Sequence, residues 1–171
     1  MAKGSQRQRK IQVTDELLLG TNARMLKKNS SGGYDVIFPA SENHAVLITT
    51  KTVSKEENGT HFILNTATAF VTTLPAVAVG LEYWFHIGAT EPTTTHTVVT
   101  DSSANVIVGN LASPDLNAAS DVATVTDADT ISFVASKAVH GDFAHVWSDG
   151  TNWYLDGMCK AFDGMTTTQA S

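Results

Sequence analysis

Gly141-Asp142-Phe143-Ala144-His145-Val146-Trp147-Ser148-Asp149-Gly150-Thr151-Asn152-Trp153-Tyr154 reads as one β-hairpin, and that reading decides the fold class. Successive side chains of an extended strand point to opposite faces, so Phe143, His145 and Trp147 share one side while Ala144 and Val146 take the other. Ser148-Asp149-Gly150 then reverses the chain: an aspartate hydrogen-bonds the backbone two residues on, and glycine tolerates positive φ. Thr151-Asn152 prolongs the loop before Trp153, Tyr154 and Leu155 resume the extended pattern.

Working outward, similar segments recur. Tyr34 to Phe38, Ala45 to Thr50, His61 to Leu64, Phe70 to Leu74, Glu82 to Ile87, Thr95 to Thr100, Asn105 to Val108, Val122 to Thr126 and Thr130 to Ala135 all read as strands. Over most of this run the starts recur about every 8 to 15 residues, with Gly, Pro, Asn or Asp between them, a cadence that favours a sandwich or jelly roll over a parallel α/β arrangement. Asn22 to Lys28 reads as a short helix, and Thr14 to Gly20 as one helical turn or a short strand. The expected fold is therefore all-β: an antiparallel β-sandwich or jelly roll with an extended N-terminal arm. Three segments are expected: a basic arm and attachment segment over 1–55, a sandwich body over 56–160, and a flexible, Thr-rich tail over 161–171.

The 171 residues are about one domain long, enough for a core without metals or disulfides. The single cysteine, Cys159, excludes an intramolecular disulfide, the N-terminus lacks the apolar run of a signal peptide, and no stretch approaches a membrane span. The net charge of −6 conceals a polarity. Through Lys28 the chain has seven basic residues (Lys3, Arg7, Arg9, Lys10, Arg24, Lys27 and Lys28) against Asp15 and Glu16, a balance of +5; the remainder has four against fifteen, or −11. Such a basic segment reads either as a solubilising tail or as a partner-binding arm that orders on acidic surfaces. Specific nucleic-acid binding is not expected, because no aromatic residue is interleaved to stack bases and the acidic body repels phosphates.

Enzymatic patterns are wanting. A cupin-like metal site needs two histidines one residue apart on a strand, and none of His44, His61, His86, His96, His140 and His145 is so spaced. Asp127 and Asp129 read as turn acids, and Cys159 as a small buried thiol. No metal, cofactor or catalytic residue is expected. Tyr83 and Phe85 share one strand face while Trp84 and His86 take the other, so both faces are substantially apolar; the second suits either an opposing core or a subunit contact. Trp84, His86, Trp147 and Trp153 are the candidates for that contact.

Several stretches together carry a family resemblance: Phe62-Ile63-Leu64-Asn65; Val71-Thr72-Thr73-Leu74-Pro75-Ala76 running into Gly80-Leu81-Glu82-Tyr83-Trp84-Phe85; Asn105-Val106-Ile107-Val108-Gly109; and the opening hairpin. Over about residues 60 to 157 the chain resembles the β-sandwich modules of tailed-phage virion proteins, especially capsid decoration (cement) proteins and related head- and tail-fibre modules. The resemblance implies a non-enzymatic homotrimer, made in the bacterial cytoplasm. It would sit on the capsid exterior and stabilise the shell of major capsid protein, with the arm as the capsid contact. The alternative is a tail-fibre or baseplate protein engaged in host attachment, with Trp84, Trp147 or Trp153 offered to glycans.

Overall fold

The computed structural model describes residues 44–113 and 122–171 in full and, within 1–43, the backbone of three short strands. The chain divides into two units, Met1–Glu42 and Asn43–Ser171. In the first, β1 (Glu16–Leu17), β2 (Met25–Lys28) and β3 (Tyr34–Ile37) form an antiparallel sheet in that order. The short helix expected over Asn22 to Lys28 is therefore corrected. An isolated turn of helix cannot repay its nucleation cost, whereas Met25–Lys28 pairs residue for residue with Tyr34–Ile37.

The second unit is a sandwich of two sheets. Its strands are β4 (His44–Leu47), β5 (Lys51–Thr52), β6 (His61–Leu64), β7 (Val71–Thr73), β8 (Val79–Ile87), β9 (His96–Val99), β10 (Ile107–Ala112), β11 (Val122–Ala128), β12 (Thr130–Phe133), β13 (Phe143–Asp149), β14 (Trp153–Met158) and β15 (Met165–Thr168). One sheet has seven strands in the order β11-β10-β14-β13-β8-β6-β4, the other five in the order β15-β12-β9-β7-β5. The all-β sandwich is as expected, but its sheets are mixed rather than purely antiparallel. β4, β6 and β8 run parallel in register, as do β5, β7 and β9, and β10 lies parallel to β14. A repeated β4-β5, β6-β7, β8-β9 progression produces this, each step feeding one strand to each sheet, so that strands in the same sheet point the same way.

The core lies between the sheets. Phe62, Leu64, Tyr83, Phe85, Ile87, Val146, Trp153 and Leu155 project inward from the seven-stranded sheet to meet Val98, Ile131, Phe133 and Met165 of the other, all of them essentially inaccessible. Tyr83 donates its buried hydroxyl to the Ser54 carbonyl at 3.0 Å, and burial pushes its pKa up to about 12. The opening hairpin forms as read: Phe143 faces Met158 and Ser148 faces Trp153. Asp149 Oδ1 accepts the backbone N–H groups of Thr151 and Asn152 at 2.8 and 2.9 Å, and Gly150 has φ +95°.

Two segment boundaries move. Residues 44–55 belong to the sandwich unit and not to an arm, since β4 and β5 are sheet members. The tail expected to be flexible contributes β15, whose four residues pair with β12 and whose Met165 is buried, because apolar burial plus a full ladder outweighs the polarity of its threonines.

Candidate interaction surface

Alternation along a strand gives a sheet two faces, and here the outward one is unusual. His44-Ala45-Val46-Leu47 and His61-Phe62-Ile63-Leu64 have the same phase, with Leu inward and His outward. Parallel pairing brings His44 opposite His61 and His61 opposite Trp84, and antiparallel pairing brings Trp84 opposite His145 and His145 opposite Asp156. One transverse rung thus crosses five strands. A second rung lies beside it, Val46–Ile63–His86–Phe143–Met158, and a third holds Glu82, Trp147 and Tyr154.

Spaced by the interstrand distance, the rings of the first rung stand upright and stack. His44 and His61 have centroids 5.3 Å apart, His61 and Trp84 also 5.3 Å at an interplanar angle of 3°, and Trp84 and His145 3.8 Å at 10°. Diagonally, His61 Nδ1 and His86 Nε2 lie 3.3 Å apart, a hydrogen bond that requires a neutral acceptor nitrogen in the pair. Burial, then the neighbouring His44 and His145, holds His61 below the usual histidine pKa; at His86 burial acts first, then His61 and His44. His145 Nε2 approaches Glu82 Oε1 at 2.7 Å. Trp147 packs between His145 and Tyr154, whose hydroxyl donates to Asp149 Oδ2 at 2.9 Å.

Two consequences follow from this geometry. The Trp84 faces are covered by His61 on one side and His145 on the other, so only its edge is offered, whereas a sugar stacks on an open ring face. Apolar area is also left in water: Val46 is 60 % exposed, Met158 50 % and Trp147 40 %. Among the described residues no group of three or more His, Cys, Asp or Glu is arranged to hold a metal ion. Cys159 is buried and free, its Sγ 3.7 Å from the Ala112 carbonyl.

Of the four contact candidates, Trp84, His86 and Trp147 lie together on this face. Trp153 does not: it is fully buried, its ring 5.9 Å from Tyr83, so its place as a subunit contact or glycan platform is corrected to core. It opens β14 in the inward phase, one residue before the outward Tyr154. His44, His61, His145 and Phe143 join the face without having been singled out for it. The matching His-x-x-Leu phase of β4 and β6 was the available signal, and it becomes decisive only when the two strands are known to pair in parallel. Lys3, Arg7, Arg9, Lys10 and Arg24 lie outside the described residues. Lys27 and Lys28 fall on β2, described by its backbone alone.

In comparisons with known proteins, no family model matches the chain and no curated protein matches it.

Proposed function

We propose that this chain is a structural protein of a tailed-phage particle, a homotrimeric decoration protein that binds the outer surface of the major capsid protein shell and stabilises it. The observation that carries the reading is the separation of charge between the two units. Met1–Glu42 has seven basic and four acidic residues, +3, while Asn43–Ser171 has four and thirteen, −9. A basic segment joined to an acidic sandwich suits a protein that grips with one part and projects the other. Anything that binds one state of a shell preferentially lowers the free energy of that state, so contacts across adjacent capsid subunits stabilise the assembled shell. Three arms on one trimer convert modest affinity per arm into avidity.

The covered faces of Trp84 and the burial of Trp153 weigh against the glycan-binding form of a tail-fibre role. The test is deletion of residues 1–10 followed by incubation with undecorated shells at physiological salt. The truncated protein is expected to keep its oligomeric state and to lose shell occupancy in gel densitometry. Unchanged occupancy would overturn the role of the arm, and failure of the intact chain to bind shells would overturn the function.

A further inference from the structure

We infer that copies of this chain pack against one another through the outer face of the seven-stranded sheet, and that the histidine rung makes this packing reversible by acid. The inference rests on the homo-oligomeric reading above and adds to it the surface and its regulation.

The face has the size of a small contact. The thirteen positions of its three rungs, on five strands, at ~4.8 Å by ~6.8 Å each cover on the order of 400 Å², about half of the ~800 Å² per partner of a standard interface. Its charge fits a second copy better than a foreign partner. The sandwich unit carries −9, yet the three rungs contribute only Glu82 and Asp156 as carboxylates, with Asp149 at the hairpin end, and no Lys or Arg among the described residues of these strands projects from this face. Glu82 is hydrogen-bonded to His145 within the same chain, and Asp149 to the Tyr154 hydroxyl. An acidic partner would find no fixed cation here and a basic one few anions. Two acidic bodies, by contrast, can meet here with little like-charge repulsion while covering Val46, Met158 and Trp147. One face per chain serves a threefold arrangement when the three are turned toward a common axis.

Acid changes this surface more than any other. The titratable groups that face the rung are His44 on β4, His61 on β6, His86 and Glu82 on β8, His145 on β13, Asp156 on β14 and, at the rim of the depression beside His44, His61 and His86, His140. Above the histidine range His61 and His86 are neutral and the hydrogen bond between them is intact. Below it, the second proton on that pair breaks the bond and sets two cations 3.3 Å apart, with His44 stacked behind them. Among the described residues the charges on His61 and His86 meet no carboxylate within ion-pair distance. A face that must stay neutral to pack then loses affinity by about tenfold for each unit by which packing lowers a histidine's pKa.

The experiment is sedimentation velocity of the full chain at about pH 7.5 and about pH 5, with far-UV circular dichroism on the same samples. The expected result is an oligomer at neutral pH that falls to monomer in acid while the β-sheet spectrum persists. Val46→Glu and Met158→Glu, both at exposed positions, are expected to be monomeric already at neutral pH. His61→Gln and His86→Gln combined are expected to keep the oligomer in acid, and either one alone to shift the midpoint to lower pH. An oligomer untouched by both glutamates would overturn the face and leave the oligomeric reading standing. An oligomer that ignores acid, that dissociates in the double variant as in the parent, or that dissociates only as the spectrum is lost would overturn the switch. A monomer at neutral pH would overturn the homo-oligomeric reading and this inference together.

Discussion

The inner and outer faces of the seven-stranded sheet are built from alternate residues of the same strands, yet they meet different demands. Inward, Phe62, Leu64, Tyr83, Phe85, Val146, Trp153 and Leu155 are inaccessible and interlock with the opposite sheet. Outward, where a sandwich commonly shows polar residues, this one has upright rings and exposed aliphatics. The inner pattern is what any sandwich needs to fold. The outer one leaves apolar area in water, the area that the proposed contact between copies would cover.

The contrast is broken most severely from the inside. Trp153→Ala removes a fully buried indole beside Tyr83, and the loss is expected to be about 3–5 kcal/mol, read as a lower urea midpoint with an unchanged slope. Trp147→Ala, only six residues earlier but on the outer face, is expected to cost the monomer less than about 1.5 kcal/mol, the value of its ring contacts. Equal losses would show that the outer rings hold the fold as well. Gly109→Ala comes close behind the core truncation. Gly109 has φ +144°, and a Cβ there would lie 2.1 Å from the Leu155 carbonyl oxygen of the parallel neighbour β14. Strain and overlap together are expected to cost on the order of 3 kcal/mol in the same measurement. A neutral result would mean that the bulge in β10 relaxes freely.

Acid acts on both faces with the same sign. His61 and His86 outside, and His96 inside, all have pKa values lowered from 6.5, burial being the first cause in each. His96 Nε2 donates to the Thr66 carbonyl at 2.8 Å, which leaves its buried Nδ1 without a partner and no place for a second proton. The unfolded chain therefore binds more protons than the folded one once pH drops toward 6.5, so stability is full above that value and declines as pH falls through the folded pKa values. Urea midpoints are expected to be lower at about pH 5.5 than at about pH 7.5, and His61→Gln with His86→Gln to reduce the difference without abolishing it, because His96 remains. A flat profile in the parent would refute the assignment of neutral rings.

How far the sequence can be read follows the same division. The opening hairpin was legible down to its turn, because Asp149 and Gly150 act locally and Phe143 to Val146 alternate without interruption. His61–Leu64 emerges with its bounds unchanged, and the all-β class with it. What was not legible depends on pairing. Met25–Lys28 is extended because of Tyr34–Ile37, and β15 is ordered because of β12, neither of which its own composition announces. The parallel register of β4, β6 and β8 hid the histidine rung, since His44, His61 and Trp84 are about 20 residues apart along the chain and neighbours only across it. Trp153 was misplaced because phase at the first residue of a strand is set by the turn before it: one residue either way exchanges the core for the surface.

The smallest effect is expected where the two faces are joined. Asp149 accepts from Thr151 and Asn152 at the turn and from the Tyr154 hydroxyl at the edge of the outer face, and the backbone hydrogen bonds hold its carboxyl below the ordinary range. Asp149→Ala removes all three hydrogen bonds in solvent, where water replaces them, so only a slight fall in Tm is expected. Asp149→Asn keeps a carbonyl acceptor for the turn and is expected to recover most of that fall. The informative reading is at the outer face. Without its carboxylate partner, Tyr154 is freed against Trp147, and the oligomer is expected to weaken more than the fold, seen as a lower sedimentation coefficient at a Tm that has barely moved. If Tm falls steeply and association is untouched, the turn serves the inner face alone, and the third rung has no part in the contact.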